Sequence, residues 1–301
     1  MQRRSFLTLL GASAAAWPLA VRAQQRRLPT IGYLDSCTAA ISSQDTSAFL
    51  QRLRELSWIE GRTIAIEYRF AEGRSERYAE IAAEFVQLKV DVIVASTTSP
   101  VAAAKRATAV IPIVGVNLGD PVGSGLVTGL ARPGGNVTGL SSQGTDLAGK
   151  KVELLREVVP TLRHLAVLVE IGIDASSLIT DEVRAAARTL GLEVVPMEIR
   201  RAADIVPAFE ALKGRAEAIF VLGGALINTN RARVHTLAMG ARLPAIYNAR
   251  SYVEAGGLMS YGPNARTCTS APPNSSTRSC AGRNRPTSRS SSRRDSSLSS
   301  T

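Results

Sequence analysis

Buried strands and amphipathic helices alternate along this chain, most clearly between residues 90 and 140. Val90–Ala95, apart from Asp91, and Ile111–Val116 are apolar, β-branched runs typical of strands that are covered on both faces of a parallel sheet. A helix is predicted between them over Val101–Thr108. Polar residues follow both strands, so two strand ends bring polar side chains to one sheet edge. Open parallel sheets bind their ligands at that edge.

The alternation continues over the rest of the chain and predicts two βα lobes. The first contains strand Pro29–Leu34, helix Gln44–Trp58, strand Thr63–Phe70, helix Ser75–Leu88, the two strands above and strand Asn136–Leu140. The second contains helix Leu147–Val158, strand Leu165–Val169, helix Thr180–Leu190, strand Leu192–Ile199, helix Ala203–Leu212, strand Ala216–Leu222, helix Arg231–Ala241 and strand Pro244–Tyr247. The predicted fold class is therefore α/β, with two Rossmann-like lobes of parallel strands, a hinge and a cleft.

The N-terminal residues 1–23 have the features of an export signal. Arg3 and Arg4 precede a short apolar segment, and Val21-Arg22-Ala23 offers a cleavage site. The apolar segment is too short for a permanent membrane anchor, so we expect a soluble periplasmic protein. The arginine pair is similar to the twin-arginine export motif, and the general secretory route is the alternative.

The net charge of +11 does not indicate a nucleic-acid partner once it is divided by region. Three arginines lie in residues 1–23, and residues 266–301 carry seven arginines against Asp295. The remaining residues 24–265 are therefore nearly neutral, whereas a nucleic-acid-binding domain is expected to carry a basic patch.

Several motifs resemble those of one family. They are G-Y-L-D-S at 32–36, I-P-I-V-G-V-N-L-G-D-P from residue 111, K-V-E-L-L-R-E-V-V-P at 151–160 and G-G-L-M-S-Y-G at 256–262. They are similar to motifs of ABC-transporter substrate-binding proteins of the type that includes tryptophan- and tyrosine-binding members. The resemblance covers residues 28–264. It implies a type I periplasmic-binding fold that captures a small solute for a membrane permease, without covalent chemistry or a cofactor.

Two segments depart from the family pattern. Many relatives have an Asn-Pro pair where this chain has Glu170-Ile171-Gly172-Ile173-Asp174. From Arg266 the chain is a Ser/Arg-rich tail that cannot form a core. Permitted codons for this tail, read two nucleotides later, can spell a helical sequence that resembles the family terminus. We therefore expect lobes at 24–145 and 146–264, and a frameshift product in place of the closing elements at 265–301.

Polar residues at the predicted strand ends are the candidate ligand contacts. Ser96, Thr97 and Thr98 precede a helix, whose free N–H groups and dipole favour a carboxylate, and helix capping is the alternative role. The other candidates are Asp35, Ser36, Asn117 and Asp120 from the first lobe, and Glu170, Gly223, Tyr247 and Asn248 from the second. The four residues from the first lobe are expected to border the cleft and receive an amino group or polar tail, and Tyr247 is expected to offer a stacking surface. The predicted ligand is an amino acid or similar small carboxylate, and a neutral or sugar-like solute is the alternative.

An exported enzyme and a transcription regulator are the two alternative functions. An exported α/β enzyme could use the same cleft, but the sequence offers no Gly-x-Ser-x-Gly turn and no converging acid, base and nucleophile. A transcription regulator lacks support because no helix-turn-helix pattern precedes Pro29. His164, His235 and Cys37 show no metal-ligand spacing, so no metal is expected. Glycines at 123–135 follow Asp-Pro and are predicted to form turns rather than a phosphate loop.

Overall fold

The structure, a computed structural model, describes residues 27–142, 147–171 and 174–262. The predicted export signal at 1–23, the predicted lobe boundary at 145 and 146, and the tail at 265–301 lie outside these ranges. Within them the chain forms two separate sheets of five strands each, and every paired strand is parallel. The prediction of two α/β lobes is therefore confirmed.

The first lobe places β1, β3 and β4 side by side at the centre of its sheet, in the order β2-β1-β3-β4-β5. Because these strands are parallel, their carboxyl ends meet at one edge. In chain order the elements are β1 (Thr30–Asp35), α1 (Ala39–Glu55), β2 (Ala65–Phe70), α2 (Arg77–Gln87), β3 (Val92–Ser96), α3 (Thr98–Ala107), β4 (Ile113–Leu118) and β5 (Val137–Ser141).

The second lobe has the strand order β10-β9-β8-β6-β7, again with parallel pairing. Its elements are α4 (Ala148–Val158), β6 (His164–Glu170), α5 (Asp174–Thr189), β7 (Glu193–Ile199), α6 (Ile205–Leu212), β8 (Ala218–Val221), α7 (Ala225–Thr229), α8 (Arg231–Gly240), β9 (Ala245–Tyr247), α9 (Arg250–Glu254) and β10 (Met259–Ser260). Strands β6, β8 and β9 are adjacent, so their carboxyl ends form a second edge.

Apolar side chains cover the sheets and fix these edges in place. In the first lobe, α2 packs directly on β1, because a Cβ built on Gly32 would lie 2.7 Å from the ring of Phe85. In the second lobe, the neighbouring residues Ile219 and Phe220 of β8 belong to two different core clusters. Since successive strand residues point to opposite faces, this sheet is covered on both sides.

Some elements begin earlier than the periodicity predicts. Helix α1 begins at Ala39 rather than Gln44, because the Thr38 hydroxyl caps it by accepting from the Ile41 amide at 3.4 Å. The five residues before Gln44 are small or polar apart from Ile41, so the apolar stripe does not reveal them. Helix α5 begins at Asp174 rather than at residue 180. The short helices α7 and α9, of five residues each, show no readable period.

No helix in the described part of the chain is sufficiently long and apolar to cross a membrane.

Candidate functional site

The carboxyl ends of β1 and β3 bring three of the predicted residues together. Asp35 and Ser36 are buried, with 5% and 2% of their surfaces exposed. The Ser36 amide donates a hydrogen bond to the Ser96 hydroxyl at 3.1 Å. Leu34 of β1 pairs with Ala95 of β3, so the residues that follow are neighbours by register. One polar edge of the first lobe is thus built from these two strand ends.

Asp35 is held in position by its own lobe. Its Oδ1 accepts from the Cys37 amide at 2.8 Å, and the Tyr33 hydroxyl donates to its Oδ2 at 3.4 Å. Burial and then the charge of Asp35 raise the pKa of Tyr33, which therefore remains a neutral donor. A carboxylate offers about four acceptor positions, so Asp35 can still accept a hydrogen bond from a ligand.

Thr97 and Thr98 begin helix α3 in an unusual way. Thr97 is the N-cap residue, yet its φ of 66° and ψ of 170° fall in a region that favours glycine, and its hydroxyl makes no capping hydrogen bond. Such a conformation costs a threonine about 1–3 kcal/mol. The Thr98 hydroxyl accepts from the Gly119 amide at 3.2 Å and links α3 to the loop after β4. Thr97 therefore occupies the N-cap position, but its side chain does not perform the alternative role of capping the helix.

The residues at the end of β4 have two different roles. Asn117 is half-buried and has a φ of 59°. It lies at the same edge as Thr97, because Ser96 pairs with Val116 and the Thr97 amide donates to the Val116 carbonyl at 2.8 Å. The Asp120 Oδ1 accepts from the amides of Val122 at 3.1 Å and Gly123 at 2.8 Å. That oxygen therefore stabilises the turn of its own loop. We expected Asp120 to receive a ligand amino group, and this role differs from that expectation.

Glu170 at the end of β6 is the corresponding buried acid of the second lobe. It is 4% exposed, and its Oε2 accepts from the Leu226 amide at 3.0 Å. A Cβ on Gly224 would lie 2.6 Å from the same oxygen, so the backbone after β8 approaches the carboxyl closely. Burial raises the pKa of Glu170 to about 7, and the Leu226 amide acts in the opposite direction.

Gly223 and Asn248 meet at the ends of β8 and β9. A Cβ on Gly223 would lie 2.0 Å from the Asn248 Nδ2, so only glycine allows the amide to occupy this position. The Asn248 Oδ1 is buried and has no hydrogen-bond partner among the described residues. This oxygen can accept a hydrogen bond from a donor that enters the cleft.

Tyr247 does not occupy the position expected of a stacking surface. Its side chain is 0% exposed and belongs to the core of the second lobe. Its ring stacks on Tyr252, with centroids 4.6 Å apart and planes 14° from parallel. The Tyr252 hydroxyl in turn donates to the Asn228 side chain. The stacking role is therefore corrected: Tyr252, rather than a ligand, occupies that face of Tyr247.

The two polar edges face each other across the cleft. Gly73, in the turn after β2, lies against α7, where its Cβ would be 3.2 Å from the Leu226 Cα and 3.3 Å from the Thr229 Oγ1. Burial raises the pKa of the Cys37 thiol of the first lobe to about 11, and the nearby Thr229 of the second lobe acts weakly in the opposite direction. These contacts show that the turn after β2 in the first lobe lies beside α7 of the second lobe.

A second link between the lobes involves the hydroxyl group of Tyr78. Tyr78 of α2 is 4% exposed, and its pKa is raised by burial and then by the charge of Glu170 from the opposite lobe. Cys37 and Asp35 contribute to the same shift. The cleft thus contains carboxyl groups from both lobes close to a neutral phenol.

Sequence reasoning missed Cys37, Gly73, Tyr78 and Thr229 as residues of the cleft. None of them follows a central strand directly. Cys37 comes nearest, because it lies immediately after the predicted pair Asp35 and Ser36 at the end of β1. Tyr78 shares the buried face of α2 with Ile81 and Phe85, so its spacing in the sequence is that of an ordinary core position. Gly73, between the exposed Glu72 and Arg74, carried no signal beyond that of a turn.

Histidine lies at the other end of the second sheet. His164 begins β6, and its Nδ1 hydrogen-bonds Glu217 at 3.1 Å, whereas Glu170 ends the same strand. Across residues 27–142, 147–171 and 174–262, no group of three His, Cys, Asp or Glu side chains is arranged to hold a metal ion.

Residues 42–270 match the sequence model of a family described as ABC transporter substrate binding protein. Among curated proteins, a tyrosine-binding protein from Clostridioides difficile (strain R20291) is 29% identical over 210 residues. The alignment covers 70% of this chain and 60% of the relative, so the chain spans about 60% of that protein's length.

Two solved structures share the arrangement of both lobes. One is a conserved domain protein from Vibrio cholerae, 26% identical with a TM-score of 0.75. The other is an ABC domain in complex with L-Trp from Streptococcus pneumoniae, 24% identical with a TM-score of 0.73. Each alignment covers 81% of this chain and 82% of the other chain.

Proposed function

Because this chain belongs to the family of ABC transporter substrate-binding proteins, we propose that it captures an amino acid or similar small carboxylate and delivers it to an ABC permease for import. Its two parallel-sheet lobes have the type I periplasmic-binding architecture of its structural neighbours. The relatives are substrate-binding proteins, which supports binding rather than catalysis at this site. The tyrosine-binding relative and the complex with L-Trp support an amino acid as the solute.

The observation that carries this proposal is that polar sheet edges of both lobes contain buried groups, Asp35 and Ser36 in the first lobe and Glu170 in the second. Asp35, Ser36 and Ser96 lie at the first edge, and Glu170 and Asn248 at the second. Polar groups are rarely buried without a compensating partner, because the loss of hydration costs free energy. A polar solute between the lobes would supply partners to both edges at once.

The carboxylate of the solute would bind at the start of α3. The first amides of a helix lack intrahelical partners, and the helix dipole places partial positive charge there. Thr97 adds a hydroxyl that no capping bond occupies, and Asn117 lies on the adjacent strand end. We expect these two side chains to donate hydrogen bonds to the carboxylate.

The amino group of the solute would bind between the two acids. Asp35 accepts hydrogen bonds from its own lobe and Glu170 accepts one from Leu226, and both carboxyls retain acceptor positions. The unpartnered Oδ1 of Asn248 offers a neutral acceptor for the same ammonium or for a side-chain donor. A cation here would also offset the cost of burying two acids.

We further propose that the protein works in the periplasm after export. Substrate-binding proteins of this family typically work outside the cytoplasm, where solute capture precedes transport. The pattern of Arg3, Arg4 and the following apolar segment supports export. The twin-arginine route is the more specific form of the proposal, and the general secretory route is its alternative.

Calorimetry with L-tyrosine and L-tryptophan tests the proposed site. We expect either or both to bind the full chain, and the double variant Thr97→Gly with Asn117→Gly to lose about 1–3 kcal/mol of binding free energy. Glycine is chosen because both residues have positive φ, so the variant removes side chains without adding strain. Its melting temperature should not fall, which separates lost contacts from unfolding.

The matched control is Ser57→Gly with Arg242→Gly. These residues are exposed and have φ values of 66° and 56°. Each precedes a strand, so neither lies at the carboxyl ends that form the proposed site. The control should bind as the wild type does. Equal affinities for the wild type, the site variant and the control would place the carboxylate elsewhere. Binding of a neutral sugar in preference to both amino acids would favour the alternative solute class.

A further inference from the structure

The first lobe presents a turn whose backbone is buried by the second lobe. Gly73 is buried, although Glu72 and Arg74 on either side are exposed. The turn is fixed to the strand end beneath it, because the Glu72 amide donates to the Cys37 carbonyl at 3.2 Å and the Gly73 amide to the Ser36 carbonyl at 2.8 Å. The turn and the ligand-facing strand end therefore move as one unit.

The second lobe meets this turn with helix α7. A Cβ on Gly73 would lie 3.2 Å from the Leu226 Cα, 3.3 Å from the Thr229 Oγ1 and 3.4 Å from the Ala225 carbonyl oxygen. The distance to the Leu226 Cα is shorter than the separation of about 3.5–4.0 Å at which carbon atoms pack, and the two oxygen atoms leave little further space. Two of the three atoms are backbone, so no change of side-chain rotamer could make room for a methyl group.

We propose that Gly73 is the residue that allows the two lobes to close, because its missing side chain lets the turn at 71–74 pack directly on the backbone of α7. The inference rests on the proposed function, since closure of the lobes is what encloses the solute. It adds a positioning residue that contacts no ligand. It acts by setting how closely the edge with Asp35 approaches the edge with Glu170.

Helix α7 connects this contact to the ligand site. Its Leu226 amide donates to the Glu170 carboxylate, so the segment that touches Gly73 also holds the buried acid of the second lobe. A side chain at residue 73 would displace α7 and with it the acceptor that faces the solute. We therefore expect a loss of closure to be accompanied by a loss of affinity.

Cys37 provides a built-in reporter of closure. Its thiol is 7% exposed, lies beside Thr229 of the second lobe and has a pKa that burial raises to about 11. Thiol reagents attack the thiolate, so a closed cleft makes Cys37 slow to react. Replacement of Cys268 and Cys280 by serine leaves Cys37 as the one thiol of the full chain.

The experiment compares Gly73→Ala with Gly61→Ala in this background. Both glycines have a φ of 76°, so alanine adds the same backbone strain, but a Cβ on Gly61 meets nothing within 4 Å. We expect Cys37 in G73A to be labelled about tenfold faster than in the wild type or in G61A, as a tenfold rise in the ratio of open to closed molecules predicts. Equal rates in G73A and G61A would overturn the proposal. So would wild-type labelling at the rate of the urea-unfolded chain.

A second pair of variants tests the contact between Gly73 and α7 if G73A fails to fold. Thr229→Leu enlarges the same contact from the α7 side without changing a glycine, and Thr236→Leu places the same side chain on the exposed face of α8. Faster labelling in T229L than in T236L supports the proposal, and equal rates overturn it. Circular dichroism establishes which variants are folded.

Titration with L-tyrosine and L-tryptophan separates this inference from the proposed function. If neither binds the wild type but G73A still labels faster than G61A, the proposed solute is wrong and the closing contact stands. If the wild type binds either and G73A labels at the rate of G61A, the solute stands and the closing contact is wrong.

Discussion

Glu170 is a residue whose ionisation depends strongly on the fold. Its carboxyl is 4% exposed, and burial raises its pKa from 4.5 to about 7. Between these two values the native state binds more protons than the unfolded state. The free energy of unfolding therefore falls as the pH rises from about 4.5 to about 7, and the destabilisation is complete above the folded pKa.

Glu170→Gln should remove this dependence. The amide oxygen can still accept from the Leu226 amide, but it carries no charge at any pH. Relative to the wild type, we expect E170Q to gain about 1–3 kcal/mol of unfolding free energy between pH 5 and pH 8, measured by urea unfolding. The control is Glu157→Gln on the exposed face of α4, which should follow the wild type at both pH values. Parallel pH profiles for E170Q and wild type would contradict the shifted pKa.

At the residue scale, a position at a strand end could be predicted, but the direction of a side chain could not. Asp35, Ser36 and Ser96 meet because parallel register brings their strand ends together. Tyr247 also ends a strand, yet its ring lies in the core because the second sheet is covered on both faces. Gly73 could not be found, since its role depends on a contact with the other lobe.

Helix α4 carries a buried cation against the second sheet. Lys151 is 6% exposed, and its Nζ lies 5.4 Å from the centre of the Phe220 ring of β8. Burial lowers the pKa of Lys151 from 10.5 to about 8. A shift of that size corresponds to about 3 kcal/mol, more than the roughly 0.5–2 kcal/mol that a cation above an aromatic ring contributes. The charge therefore weakens the packing of α4 on the sheet.

Lys151→Met should stabilise the second lobe. Methionine fills a similar volume without a charge, so we expect the free energy of unfolding at pH 7 to rise by about 1–3 kcal/mol. The wild type should itself gain stability as the pH rises from about 8 to 10.5, because the unfolded chain then binds more protons, and the advantage of K151M should shrink over that window. The adjacent Lys150→Met, with an exposed ammonium paired to Glu153, is the control. A less stable K151M would show that the ammonium has a favourable role.

At the element scale, long buried strands and amphipathic helices were predictable and short segments were not. Strand β7 (Glu193–Ile199) differs from its prediction by one residue, because its apolar run has clear ends. Helix α7 follows Gly223-Gly224 and has only five residues, fewer than two turns, so no period exposes it. The element that carries both Thr229 and the Leu226 amide was therefore invisible to pattern analysis.

At the scale of the molecule, alternation of strand and helix predicted the two lobes and the sheet edges at which we propose the ligand site. It could not predict how closely the lobes approach, since that depends on a few contacts between distant segments. Gly73 and Leu226 are far apart in sequence, yet a Cβ on Gly73 would lie 3.2 Å from the Leu226 Cα. Such a contact depends on the three-dimensional shapes of the two lobes, which the spacing of apolar residues along the chain does not reveal.

The Ser/Arg-rich sequence of residues 265–301 takes the place of the closing elements that the family resemblance implies. Strand β10 has two residues at the edge of the second sheet, and the adjacent Leu258 is 58% exposed. We propose that a frameshift near codons 264–266 replaced the closing helix and strand that the family resemblance implies. Resequencing should reveal an insertion or deletion there relative to close relatives. An intact frame with the same Ser/Arg tail throughout those relatives would refute the proposal.

Replacement of residues 265–301 by the alternative-frame sequence tests the structural consequence. Added elements would cover the β10 edge and Leu258, and burial of a leucine contributes about 1.5–3 kcal/mol. For a chain of this size that gain raises the melting temperature by roughly 3–12 °C. A chain that ends at residue 264 is the control, because it removes the tail without adding a cover. If the repaired chain melts no higher than this control, the added segment does not close the sheet.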